Sequence, residues 1–186
     1  QNVGSKVIMA MTLITTNTHT GDSDATSDFT SGIDSTYKLF IFKFFDINPA
    51  TDLAEFTFNG SIDAGSNYNV TKTTTFFRAY HTEADSAELA YDTANDLAQS
   101  TAFQNLSMDV GNGADESCAG TLWLFNPSST TYVKHFYCTN STYDGADAAY
   151  NYMIGGYFNN TDNIDAVQFK MSAGNFDGTI AMYGVG

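Results

Sequence analysis

Short runs of alternating hydrophobic and polar residues recur along this chain, and polar stretches rich in turn-forming residues separate them. Because successive side chains of a strand point to opposite faces of its sheet, the alternation predicts half-buried β-strands. Many short strands with turn signals between them are typical of a sandwich or a barrel. The pattern predicts strands at residues 6–14, 37–47, 54–62, 70–81, 101–108, 118–125, 131–139, 149–158, 164–171 and 178–185.

Segment 37–47 (YKLFIFKFFDI) differs from the others, because both of its alternating sets are largely apolar. We expect it to be covered on both faces or to lie at the centre between two sheets. The predicted fold is all-β: an antiparallel two-sheet sandwich, jelly-roll-like (concanavalin-like), formed by residues 1–186 as a single domain. The residues expected to be largely buried are Phe40, Ile41, Phe42, Phe56, Phe58, Phe77, Leu122, Leu124, Phe136, Val167, Phe169 and Ile180.

One segment, 85–97 (DSAELAYDTANDL), contains good helix-forming residues. Its apolar residues do not follow the helical period well, so a helix and an ordered loop remain equal alternatives there.

The charge balance narrows the classes of partner. Seven Lys and Arg stand against 21 Asp and Glu, which gives a formal net charge of −14. Nucleic-acid binding relies on neutralising phosphates, and anionic membranes repel acidic proteins, so neither partner is expected. Charged residues make up only 15% of the chain, so uncharged polar groups must cover most of its surface. Such a composition is common in extracellular and particle-bound β proteins.

No arrangement typical of catalysis is present in the sequence. His81 stands near Glu83 at the end of a predicted strand, but a general base also needs a nucleophile and an orienting group. The sequence contains no nucleophile elbow, no zinc-protease motif and no Cys–His signature. The chain is therefore expected not to be an enzyme, and no catalytic residue is predicted.

Calcium is the one cofactor that the sequence leaves open. Asp22, Asp24 and Asp28 lie in segment 21–28 (GDSDATSD), whose opening Asp-x-Asp resembles a calcium-binding loop. The later glycine and the terminal glutamate of an EF-hand loop are missing. An irregular calcium site at these three aspartates remains an alternative, and no other cofactor is expected.

Cys118 and Cys138 lie in neighbouring predicted strands that loop 126–130 connects. If Phe125 pairs with Thr131, Cys118 falls opposite Cys138, at a separation slightly wide of disulfide geometry. A disulfide and two buried free thiols remain alternatives. The same register places Gly120 opposite Phe136, leaving room for the ring, and less favourably places Leu122 opposite Lys134.

The aromatic residues offer candidates for binding. Trp123, the only tryptophan, lies between two leucines and is expected in the core. Tyrosine is amphipathic and suits interfaces, so a group of tyrosines that crowd one part of the chain could form an assembly interface or a glycan-binding surface. They are Tyr132, Tyr137, Tyr143, Tyr150, Tyr152 and Tyr157.

Three segments carry a resemblance to a known class of proteins: 75–83 (TFFRAYHTE), 124–136 (LFNPSSTTYVKHF) and 164–184 (IDAVQFKMSAGNFDGTIAMYG). They resemble virion structural proteins of marine tailed phages of the cyanophage and pelagiphage kind. The closing segment looks like the final hairpin of concanavalin-like or jelly-roll domains in phage appendages. The resemblance covers residues 75–185, and its patterns are structural, so it implies no catalytic residues.

The resemblance implies a non-enzymatic particle component, such as a head decoration, spike or tail-fibre subunit, located in the extracellular virion. Its expected partners are copies of itself and other virion proteins, with a host surface glycan as a further candidate. The alternative function is that of a carbohydrate-binding, lectin-like or receptor-binding module. A third class, a polysaccharide hydrolase, would need a pair of carboxylates in a cleft, and the sequence nominates no such pair.

Overall fold

The computed structural model describes residues 10–186. The predicted strand 6–14 therefore begins outside the described residues, and its part from Met11 onward belongs to the first observed strand. The strands of residues 10–186 are β1 (Met11–Asp24), β2 (Thr26–Phe29), β3 (Leu39–Pro49), β4 (Ala54–Ser61), β5 (Lys72–Thr82), β6 (Ala87–Tyr91), β7 (Gln104–Val110), β8 (Cys118–Phe125), β9 (Lys134–Tyr143), β10 (Ala148–Phe158), β11 (Ala166–Met171) and β12 (Phe176–Val185).

These strands form two antiparallel sheets, which confirms the predicted all-β sandwich. The larger sheet has eight strands in the order β1-β12-β3-β8-β9-β10-β5-β6, and the smaller has four in the order β2-β11-β4-β7. No helix is present in this part of the chain, and hence none that could cross a membrane.

The core lies between the sheets and consists mainly of phenylalanine rings. Phe169 of β11 is at its centre, with five other phenylalanine rings whose centroids lie 5.2–6.2 Å away. Eleven of the twelve residues predicted to be buried are buried: ten lie in this core, and Ile41 lies on the opposite side of β3. The exception is Phe77, which is 43% exposed because it points away from the smaller sheet.

Two of the sequence predictions for secondary structure miss strands. Segment 85–97 forms neither a helix nor only a loop, because residues 87–91 are strand β6, paired with β5. The polar segment before residue 30 was not predicted as strand, yet it holds most of β1 and all of β2.

The predicted register of the β8–β9 hairpin is wrong by four residues. The loop spans residues 126–133 instead of 126–130, so Leu124 pairs with Phe136 and Leu122 with Cys138. Because the pairing is shifted by an even number of residues, each side chain still points to the face of the sheet that was predicted for it. The glycine that makes room for Phe136 is Gly156 of β10, where an added Cβ would lie 2.8 Å from the ring.

This register also separates the two cysteines. Cys118 pairs with Thr142 and Cys138 with Leu122, so the predicted direct opposition is wrong. Four residues of strand span roughly 13 Å, whereas bridged Cα atoms lie within about 7 Å of each other. Both cysteines are free and buried, and burial raises the pKa of the Cys118 thiol to about 12.

Two lysines lie inside the sandwich on either side of Phe158. Lys72 of β5 and Lys134 of β9 both pair with Phe158 of β10, and both side chains are fully buried. The Lys72 Nζ donates hydrogen bonds to the carbonyl oxygens of Val70 at 3.2 Å and Ala102 at 2.5 Å. Burial lowers the pKa of Lys72 to about 7.

Candidate functional site

The side of the larger sheet that points away from the smaller sheet, here called the outer face, carries a continuous row of apolar and aromatic residues. Strand pairing sets them side by side across six strands, from β1 to β10, in one line perpendicular to the strands. The row runs Leu13, Tyr183, Ile41, Trp123, Tyr137 and Gly155. Leu13 at one end of the row is exposed and Gly155 at the other end is half-buried, whereas Ile41 in the middle is buried by its neighbours.

Other exposed apolar residues extend this surface in both directions. Of the eleven large hydrophobic side chains that are exposed within residues 10–186, eight lie on the outer face, as alternation and register show. Soluble monomers rarely expose large contiguous apolar patches, so this concentration on one face makes the outer face the candidate binding surface. The eight are Met11, Leu13, Phe45, Phe77, Leu89, Tyr91, Phe125 and Met153.

The outer face explains why segment 37–47 is apolar in both alternating sets. The inward set of β3, with Phe40, Phe42 and Phe44, packs in the core. The outward set, with Ile41 and Phe45, belongs to the outer face. The expectation that β3 would be covered on both faces is therefore wrong within the described chain: its second apolar set lies on the outer face, where Phe45 is exposed.

Trp123 and Tyr137 form an aromatic pair near the middle of the outer face. Their ring centroids are 5.5 Å apart with an interplanar angle of 32°, and both side chains are half-buried. The prediction that Trp123 lies in the core is wrong, because its strand presents the leucines inward. Beside Tyr137, Gly155 leaves a notch, since an added Cβ would contact only Thr75 Oγ1, at 3.5 Å.

A groove of about 730 Å³ lies at one end of the outer face. Its floor is made of small outward residues, among them Ala119, Ser141 and Ala149, and its walls come from the turns after β5 and β9. His81 and Glu83, the pair considered for catalysis, both line it. The groove is thus an extension of the outer face with a polar, acidic rim.

Carboxylates dominate the electrostatics of this groove. Tyr143 donates a hydrogen bond to Asp147 at 2.9 Å, and His81 Nε2 lies 3.1 Å from Asp85 Oδ1. The hydrogen bond to Asp147, followed by the charge of that carboxylate, raises the pKa of Tyr143 to about 12. The phenol therefore remains a neutral hydrogen-bonding group at physiological pH, and the groove presents negative charge.

The structure does not bring the six candidate tyrosines to one surface. Tyr137 and Tyr157 point outward, Tyr143 lines the groove, and Tyr132 is 70% exposed in the loop before β9. The other two, Tyr150 and Tyr152, point inward and stack on each other at 5.6 Å. Tyr152 is only 1% exposed, and its hydroxyl donates to the Met108 carbonyl, so it belongs to the core.

The three candidate calcium ligands each contact different groups. Asp24 Oδ2 lies 2.9 Å from His19 Nδ1, a hydrogen bond that lowers the pKa of Asp24. Asp28 accepts hydrogen bonds from Thr26 and Gln168. The backbone N–H of Asp22, in the irregular part of β1, donates a hydrogen bond to the Asp177 carboxylate. No cluster of three or more residues suited to a metal ion occurs between residues 10 and 186, so these aspartates do not form the envisaged site.

Most residues of the outer face could not be predicted from the sequence, because they come from strands far apart in the chain. The one available signal was the doubly apolar pattern of β3. Comparison with models of protein families, with curated proteins and with solved structures found no match. The site is therefore defined by its own geometry and chemistry.

Proposed function

We propose that this chain is a non-enzymatic structural protein of a tailed-phage virion, which attaches to other virion proteins through the outer face of its larger sheet. The observation that carries the proposal is the concentration of exposed apolar side chains on that one face. Burying such residues against a complementary protein removes apolar area from water at about 25 cal/mol per Å². Trp, Tyr, Phe and Met are also the residues that protein interfaces favour.

Charge distribution supports the same role. Two of the chain's lysines, Lys72 and Lys134, are buried, and Arg78 lies within 4 Å of Glu88 and Asp92. The rest of the surface is correspondingly acidic, which disfavours association of subunits through it. Outside the acidic groove, the apolar row of the outer face carries little charge, which suits docking on a defined partner surface.

The virion context comes from the resemblance of three segments to phage structural proteins, and the jelly-roll-like topology belongs to the same proposal. Pairing of the first and last described strands, β1 and β12, at one side of the sheet fits that topology. A head decoration, a spike and a tail-fibre subunit would each use such an attachment face.

Lysine footprinting of purified particles tests the proposal. Lys43 lies on the outer face of the larger sheet, whereas Lys170 lies on the outward side of the smaller sheet, and both are half-buried. We expect an amine-reactive reagent to modify both lysines in the free protein and only Lys170 in the particle. Absence of the chain from the particle, or equal labelling of Lys43 in both states, would contradict the proposal.

A charge placed on the outer face should weaken attachment. We expect Met153→Glu to reduce incorporation into particles at least tenfold, because a carboxylate buried at an interface without a partner costs several kcal/mol. The control is Ile62→Glu, which introduces the same carboxylate at an exposed position outside the outer face. Equal incorporation of the two folded variants would count against the outer face.

A second candidate function is carbohydrate binding, and the Trp123–Tyr137 pair favours it. Sugar rings stack on aromatic side chains that solvent can reach, and Gly155, which pairs with Tyr137, leaves open space beside this half-buried pair. Hydroxyl groups of Thr75, Thr121 and Thr139 lie on the same face and could fix the orientation of a sugar.

Tryptophan fluorescence tests this candidate directly, because Trp123 is the only tryptophan. If the pair binds sugar, titration with purified surface polysaccharide of the host cell should shift the emission saturably. Gly155→Gln, which fills the notch, should weaken that response at least tenfold. An emission spectrum unchanged at saturating polysaccharide would exclude binding at this pair.

A further inference from the structure

The strands at the four sheet edges differ in how well they are protected against pairing with another strand. Unpaired backbone N–H and C=O groups make an edge strand a template for further strands, and natural edges are blocked by charge, shortness or bulges. Three edges are short and carry a carboxylate: β2 with Asp28, β6 with Glu88 and β7 with Asp109. These three edges have the usual protection.

The fourth edge, β1, lacks charge protection over most of its length. It is 14 residues long, and its first carboxylate is Asp22, near its end. Two irregularities interrupt its register with β12, but residues 15–19 between them pair regularly. That segment, TTNTH, contains three β-branched threonines, and Thr16 and Thr18 are exposed. Within residues 10–186, no strand pairs with the outer edge of β1.

We infer that β1 pairs antiparallel with β1 of a second copy, which joins the two larger sheets into one continuous sheet. For residues 15–19 to pair with themselves, the two-fold axis passes at Asn17. Thr16 of one copy then lies opposite Thr18 of the other, and Asn17 lies opposite its own equivalent. The Asn17 side chain already reaches Ser27 and the carbonyl of Asp28, so it does not obstruct the edge.

A second copy is the occupant that the charge and the symmetry of β1 favour. Subunits with a net charge of −14 repel one another, so two copies can approach closely only through an uncharged surface, and β1 supplies one. Two-fold symmetric dimers are the commonest oligomers, and the segment is complementary to itself. The two-fold axis is perpendicular to the joined sheet, so the outer faces of both copies lie on the same side of that sheet. The dimer therefore presents twice the area of outer face to a particle. This last argument rests on the proposed function, and the first two do not.

Charge exchange on β1 tests the inference. We expect wild-type protein to form a dimer of twice 20.2 kDa in sedimentation equilibrium. The double variants Thr16→Lys/Thr18→Lys and Thr16→Glu/Thr18→Glu should each dissociate at least tenfold more readily, because like charges then lie opposite each other. An equimolar mixture of the two should restore the dimer, which shows that both variants are folded.

Net charge makes the lysine variant decisive. Its two lysines per subunit change the net charge from −14 to −12 and so weaken the general repulsion between subunits. If general repulsion alone set the affinity, this variant would associate more strongly than the wild type. Edge pairing predicts that it associates more weakly. Met153→Glu on the outer face should leave the dimer intact, so this inference and the proposed attachment can fail separately. A monomeric wild type at high concentration, or a mixture that associates no better than either variant alone, would overturn the inference.

Discussion

Replacing Phe169 by alanine is expected to lower the free energy of unfolding by about 3–5 kcal/mol. Its ring is fully buried and lies at the centre of the phenylalanine cluster, within 6.2 Å of the ring centroids of five others. Those rings come from both sheets and sit on rigid strands, so they cannot collapse into the space left behind. Urea denaturation at neutral pH measures the change.

Phe45→Ala is the matched control for this substitution. Phe45 is also a phenylalanine in a paired strand, but it lies exposed on the outer face. Loss of the Phe45 ring should lower the free energy of unfolding of the isolated protein by no more than about 1 kcal/mol, because substitutions of exposed residues have small effects. If the two variants lose equal stability, the centre of the core does not lie at Phe169.

The core was predictable because burial follows local alternation. Along β8, the alternation correctly assigned Leu122 and Leu124 to the inner face, and parity preserved that assignment when the register proved wrong. The register itself was not predictable, since it depends on where the chain leaves one strand and enters the next. Residues 131–133 look like strand in the sequence but belong to the loop.

Edge strands escaped prediction for a related reason. Much of β1 is exposed on both sides, so its sequence needs no hydrophobic alternation and reads as a polar loop. β6 contains alanine, glutamate and leucine, which favour helices in isolation. Pairing of Tyr91 with Phe77 and of Leu89 with Ala79 overrides that preference. Leu89 is 78% exposed, so the strand has no pattern of buried residues that could be recognised in the sequence.

The candidate site was the least predictable part of the molecule. Trp123 was expected in the core because apolar residues usually are. Its position on the outer face depends on the partners that its strand acquires, namely Ile41 on one side and Tyr137 on the other. A binding surface assembled from several strands becomes visible only when their registers are known.

Stability should rise with pH near neutrality, and Lys72 should be the main cause. Burial lowers its pKa from 10.5 to about 7, so between these values the unfolded chain binds more protons than the folded protein. The free energy of unfolding then increases with pH by up to about 1.4 kcal/mol per unit. Below pH 7 both states are protonated, and the full penalty of burying the ammonium is present.

The useful range for this measurement is bounded by other buried groups. Burial also lowers the pKa of Lys134, which adds a contribution of the same sign. Burial raises the pKa of both buried thiols, that of Cys118 from 9.0 to about 12, so above pH 9 deprotonation of the two cysteines in the unfolded chain opposes the trend. Between pH 7 and 8.5, urea denaturation of the wild type should show a gain of about 1.5 kcal/mol.

Lys72→Met should remove most of that gain, because methionine fills similar space without a titrating group. The absolute stability of this variant also reflects the carbonyl oxygens of Val70 and Ala102, which lose their donor. The difference in unfolding free energy between the two pH values cancels that cost and isolates the titration. Lys38→Met, at an exposed lysine, should keep the wild-type difference. A pH dependence that survives in Lys72→Met would show that the buried amine is not the group that titrates.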